Sequence, residues 1–361
     1  MIPIAEPTVG EAERTRIASI LASGQLADGP EVRRFEADMA ERVRTEHGVA
    51  TSNGTTALHA ALVALGIGDG DRVLTTPFSF VATANAARLA GADVGFVDVD
   101  PDTLTLDPDA LARSLEEGER VDAVIVVHLY GLSAEMDRLL ELKDRYEFDL
   151  IEDAAQAHGA TYRGSPVGSI GDVGCFSFYP TKNVTAGEGG MITTNDADVA
   201  DRARRFIDHG RTEGYEHAEV GHNFRLSSIH AAIGRAQLQR LDAFTSARRA
   251  HARTLTEQLA DTPVQLPVDP TDRTHVFHQY TIRHPERDRI QRVLAEREIG
   301  SAVYYPTPIH EQPAYEDVAA TAPVAETVAR EVLSLPVHPG LSDADLDHIV
   351  AALAEALEVP A

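Results

Sequence analysis

The first two thirds of the chain alternate short apolar runs with stretches of helical periodicity. Residues 121–127 (Val-Asp-Ala-Val-Ile-Val-Val) have the makeup of a strand buried on both faces. Residues 71–76, 92–97 and 148–151 predict further strands, and 172–178 and 191–194 a later pair. Leu58, Ala61, Leu62 and Leu65 recur on one face of a helix over 54–65. Helices are also predicted over 79–89 and 133–146. The second carries half a capping box, because Met136 stands where an acid would answer Ser133. This order implies an α/β fold with a mainly parallel sheet between helices, whose ligands sit at the carboxyl ends of the strands. A long helical run over 228–259 links it to a smaller α+β lobe, with a strand over 276–283 and helices over 288–298, 324–333 and 342–357. A chain of 361 residues exceeds what one core usually fills, so two domains are expected, 1–240 and 241–361.

Composition narrows the function. The net charge of −25 argues against nucleic acid or an anionic membrane as partner. No apolar stretch is long enough to span a bilayer and the first residues have no leader-like core, so a cytoplasmic location is expected. The single cysteine, Cys175, excludes an internal disulfide. Carboxylates are abundant and lysines number only two, Lys143 and Lys182, a balance that resembles the surfaces of salt-adapted proteins. Any chemistry needing a lysine amine has only those two candidates.

Lys143 lies on an amphipathic helix and reads as a surface residue. Lys182 follows an apolar strand and precedes Gly187-Glu188-Gly189-Gly190, glycines that let a ligand approach closely. A lysine so placed has a lowered pKa and can attack an aldehyde. Asp153 ends the strand before it; it either caps the next loop or keeps the pyridine nitrogen of pyridoxal phosphate (PLP) protonated. Ser52-Asn53-Gly54-Thr55-Thr56 opens a helix and makes an anion site, to which Thr55, Thr56 and Ser177 add hydroxyls. Phe80 is placed either to stack on a ring or to fill core. Gly66-Ile67-Gly68-Asp69-Gly70 lacks dinucleotide-loop spacing and context. No metal site is expected.

Taken in order, these blocks resemble the DegT/StrS family of PLP-dependent nucleotide-sugar aminotransferases, a branch of the fold-type I, aspartate aminotransferase-like enzymes. The resemblance runs through Gly29-Pro30-Glu31-Val32, Asn53-Gly54-Thr55, His128-Leu129-Tyr130-Gly131, Glu152-Asp153-Ala154-Ala155-Gln156, Ser177-Phe178 with Lys182, His209-Gly210, Gly221-His222-Asn223-Phe224-Arg225 and Tyr305-Pro306 with His310. It implies that Lys182 carries PLP and moves the proton, and that Asp153 pairs with the pyridine nitrogen. Gln156 and Phe80 would lie against the ring, with Gly54, Thr55, Thr56 and Ser177 as phosphate cradle. Asn223 would reach the phosphate of a neighbouring subunit, which implies a homodimer. Tyr305 and His310 would contact the sugar, although His310 also reads as a plain surface residue. His128 reads as structural, and His158 stays open. L-glutamate would donate the amine and a keto nucleotide-sugar, with a lean to the 3-keto position, would accept it. A sugar dehydratase characteristically has histidine in place of the lysine; a non-catalytic regulatory protein is the other alternative.

Overall fold

The computed structural model describes residues 1–358, so the last three residues of the expected 241–361 domain lie outside it. Its centre is a seven-stranded sheet in the order His47–Thr51, Gly190–Thr194, Val173–Ser177, Asp149–Asp153, Ala123–Val127, Arg72–Thr75, Asp93–Phe96. Gly190–Thr194 runs antiparallel to both its neighbours; the other pairings are parallel. Of the predicted 121–127 run, Ala123–Val127 forms the strand with all five residues inside, while Val121 and Asp122 lead into it half-buried. Helices cover both faces, and their apolar sides close separate cores against the sheet.

The Gly54–Leu65 helix begins and ends where its sequence says. Asn53 Oδ1 accepts the Thr56 amide at 2.9 Å and Thr56 Oγ1 accepts the Asn53 amide at 3.1 Å, a reciprocal cap. Gly66, at φ 90°, ends it in the left-handed conformation. The glycine-rich 66–70 segment is thus a helix-to-strand turn. The expected Ser133 cap does not form: the helix is Met136–Tyr146, and the Ser133 hydroxyl donates to the Ala134 carbonyl instead. The run over 228–259 divides into Ser228–Leu238 and Leu241–Leu259, with a break at Gln239 and Arg240.

The second core gathers the Leu241–Leu259, Arg287–Glu296 and Asp343–Glu358 helices around a two-stranded antiparallel sheet, Tyr280–Arg283 with Val332–Leu335. The strand is shorter than its apolar run because residues 276–279 pair elsewhere: the Val276 amide donates to the Gly131 carbonyl and the Gln279 amide to that of Tyr130. The predicted 324–333 helix stops at Glu331, where β-branched Val332 turns into the strand. Ile2 also joins this core, its amide bonded to the Glu298 carbonyl and its carbonyl to the Gly300 amide. The amino terminus is therefore stitched to the carboxyl-terminal lobe.

Candidate active site

Asp149–Asp153 carries two acids with opposite tasks, because successive side chains on a strand leave by opposite faces. Glu152 is fully buried and accepts the amides of Gly168, Ile170 and Gly171 at 2.7–2.8 Å. It also accepts Nε2–H of His128 at 2.9 Å, the Nδ1 of that ring being taken by the Ala134 amide. His128 is thus a structural residue. Asp153 faces the other way. Its Oδ2 accepts the Thr83 hydroxyl at 2.8 Å, which in turn accepts from Ser79, and its Oδ1 accepts the Ala155 amide at 3.2 Å. Burial raises its pKa, against the lowering pull of the Thr83 and Ala155 hydrogen bonds and then of the Lys182 charge.

Lys182 sits half-buried in the loop between the Val173–Ser177 and Gly190–Thr194 strands. Burial brings its amine down to about 8, against the opposing pull of Asp153. Next to this loop, Gly54 meets Ser177: a Cβ on Gly54 would fall 2.8 Å from the Ser177 Cβ. The helix amino terminus and the strand end thus form one close cradle of backbone N–H groups with the Ser177 hydroxyl beside it. Thr55 opens the helix, whereas the Thr56 hydroxyl is committed to the cap, bonding the amide and carbonyl of Asn53.

Over Asp153, Gln156 is buried and fixed at both ends: Oε1 accepts the Tyr130 amide at 2.8 Å and Nε2 donates to the Tyr305 hydroxyl at 3.0 Å. Tyr305 packs near Phe78, Tyr304 and Phe80, the last with ring centroids 6.2 Å apart. Phe80 is 56% exposed, so it does not fill core; its ring lies open next to Tyr305. The Tyr130 hydroxyl donates to the Tyr304 carbonyl and ties this rim to the strand ends.

Comparison with known proteins decides the family. The family model described as "DegT/DnrJ/EryC1/StrS aminotransferase family" matches residues 7–354. The chain belongs to that family. Among similar proteins, it is 42% identical to a "pleiotropic regulatory protein" of Geobacillus stearothermophilus (93% of this chain, 92% of that one). It is 40% identical to a UDP-N-acetyl-3-dehydro-alpha-D-glucosamine 3-aminotransferase of Acidithiobacillus ferrooxidans (95% and 93%). The solved structure of S. venezuelae DesV in complex with a ketimine intermediate superposes with TM-score 0.93 at 38% identity (97% and 95%). This DegT-family chain is an aminotransferase.

The residues present fit the cofactor of such enzymes. A buried carboxylate with one donor on each oxygen, an amine of lowered pKa, an amino-terminal cradle and an open aromatic ring suit, in turn, a pyridine nitrogen, an aldehyde, a phosphate and a ring face. Two expected residues lie apart from this group within the chain. Asn223 is exposed on the segment that pairs Asp208 with Asn223. His310 turns to Glu326 at 3.3 Å and lies against Phe96. His158, the open case, is buried between Phe176 and Phe178 with neither ring nitrogen hydrogen-bonded, and burial lowers it to about 3.

Sequence reading missed Thr83, His278 and Asn183. His278 Nδ1 bonds Asn183 Oδ1 at 3.3 Å, beside Lys182, while Asn183 Nδ2 donates to the Val276 carbonyl. Thr83 stands in the first turn of the Ala82–Ala90 helix and is met by Ser79 from the bend just before it, a contact the sequence period does not mark. Nothing local marks His278, which arrives from the second lobe through the turn at Tyr130 and Gly131.

Proposed function

We propose that this aminotransferase binds PLP at Lys182 and transfers the amino group of L-glutamate to a keto nucleotide-sugar, with the 3-keto position as target. The observation that carries the reading is the buried Asp153 carboxylate at a strand end, with one donor on each oxygen, close enough to the Lys182 amine for the two charges to act on each other. The 3-dehydro substrate in the name of the Acidithiobacillus relative supports the position. PLP supplies an electron sink and a carrier for the amino group. Gly54, Thr55 and Ser177 hold its phosphate, with Thr56 shaping the cap, and Phe80 and Gln156 lie against its ring. Asp153 holds a proton on the pyridine nitrogen. The Lys182 amine, neutral in a fraction of molecules near pH 7, takes and returns a proton at Nζ. Tyr305, fixed by Gln156, meets the sugar; His310 acts through the fold of that segment.

The exposed Asn223 supports a homodimer in which it serves the neighbour's phosphate. So do two exposed apolar residues on the same surface segment, Tyr215 at 96% and Val220 at 90%. Among the described residues no helix is long and apolar enough to cross a membrane, in keeping with a cytoplasmic place in amino-sugar biosynthesis. The regulatory name of the Geobacillus relative favours a second reading, a PLP-binding regulator.

The visible spectrum separates the two. Wild type should show a yellow band that L-glutamate bleaches, and Lys182→Ala should lack it. A band untouched by glutamate favours the regulator. No band after PLP is added removes the cofactor assignment.

A further inference from the structure

Arg248 is the odd cation of this acidic chain. It is 5% exposed, and no carboxylate lies within 4.0 Å of it among the described residues. Its Nη1 donates to the carbonyls of Phe277 and His278, at 3.1 and 3.2 Å, and its Nε is buried without a partner. Arg287, as deeply placed, has Asp288 at 2.5 Å. A buried charge with no counter-charge is costly, and a planar guanidinium suits a carboxylate above other ligands.

The surroundings point the same way. Arg248 lines one cavity with Lys182, Asn183, Glu6 and Pro339. Next to Pro339, His338 is 2% exposed and has no hydrogen bond on either ring nitrogen. Burial above all keeps it below its ordinary pKa, so it offers one N–H rather than a second full charge. The chain already brings a carboxylate here: Glu6 lies 3.9 Å from His338 Nδ1, with 61% of its side chain exposed and no hydrogen bond holding it. His278 is in touch with both neighbourhoods. Its carbonyl receives Arg248, its ring bonds the residue after Lys182, and both charges act on it.

We propose that Arg248, with His338 beside it, binds the distal carboxylate of a dicarboxylic amino donor, in a place that Glu6 partly occupies in the donor's absence. This rests on the reading that Lys182 serves an amino-acid donor.

Two readouts on the holoenzyme test it: calorimetric binding of glutarate, a dicarboxylate without an amine, and bleaching of the yellow band by L-glutamate and by L-alanine. Arg248→Gln should weaken glutarate and raise the half-saturation for glutamate by about tenfold or more, the loss of a charge-assisted hydrogen bond, and leave that for alanine little changed. His338→Asn should act in the same direction, and Glu6→Gln should tighten both dicarboxylates. Equal losses for glutamate and alanine would overturn the proposal. Should Arg248→Gln not fold, unchanged dicarboxylate binding in both His338→Asn and Glu6→Gln would overturn it equally. Glutarate that binds through Arg248 while glutamate leaves the band unbleached would keep the carboxylate site and remove the donor reading. Bleaching by glutamate with the same half-saturation in every variant would do the reverse.

Discussion

Two adjacent carboxylates show how little residue type alone decides. Glu152 and Asp153 share a strand end, yet one is consumed by three backbone amides and a histidine and the other is left with a hydroxyl and one amide. Their substitution should separate fold from chemistry. Asp153→Asn keeps the shape and removes the charge that a pyridine nitrogen needs. It should fold normally and lose on the order of 10²–10³-fold in kcat, as for other groups that stabilise developing charge. Glu152→Ala orphans buried amides at about 1–3 kcal/mol each, so it should lower the melting temperature sharply. Thermal denaturation alongside turnover per folded molecule checks both; an Asp153→Asn enzyme as active as wild type would sink the cofactor geometry.

The elements that matter most for the site are loops held from two sides. The cradle was legible in the sequence because Asn53, Gly54 and Thr56 are a local helix start, and the Lys182 loop because glycines follow an apolar strand. Strand and helix cores were legible for the same reason: 3.6- and 2-residue periods are local signals. What stayed hidden came from far along the chain. His278 and Arg248 reach Lys182 only because Tyr130, at φ 56°, and Gly131, at φ 100°, turn the end of the Ala123–Val127 strand against residues 276–279. A Cβ on Gly131 would fall 2.8 Å from Val276 Cγ2, so only glycine fits there. Likewise the tie from His310 to Glu326 links two segments that no sequence period connects. The exposed Asn223 segment makes a prediction at this scale. Lys182→Ala and Asn223→Ala chains, each inactive alone, should recover activity when refolded together, since a mixed dimer holds one site with both residues. No recovery would place Asn223 outside the neighbour's site.

For the whole molecule, charge and buried histidines set the response to solvent. Burial holds His158 and His275 at about 3 and His278 well below its ordinary value. As pH falls below about 6.5, the unfolded chain takes these protons before the folded one does. The stability present near neutrality is therefore lost toward pH 3, each histidine contributing up to about 1.4 kcal/mol per pH unit. A melting temperature that does not fall between pH 7 and pH 5 would contradict this. The net charge of −25 works in the same molecule through self-repulsion, which salt screens. Stability should rise steadily with KCl, and indifference to salt would remove the idea of salt adaptation.

The order in which the chain leaves the ribosome meets this architecture awkwardly. Within the sheet, the His47–Thr51 strand is an edge that pairs with Gly190–Thr194, and Ile2 joins its core beside Glu298 and Gly300. The first strand made is an exposed edge until the lysine loop and the strand after it have been synthesised, and the amino-terminal residues wait for most of the second lobe. Nascent chains of intermediate length thus carry an unpaired apolar edge, the condition under which chaperones are recruited. The centre around Lys182 takes its final shape only when the chain is nearly complete.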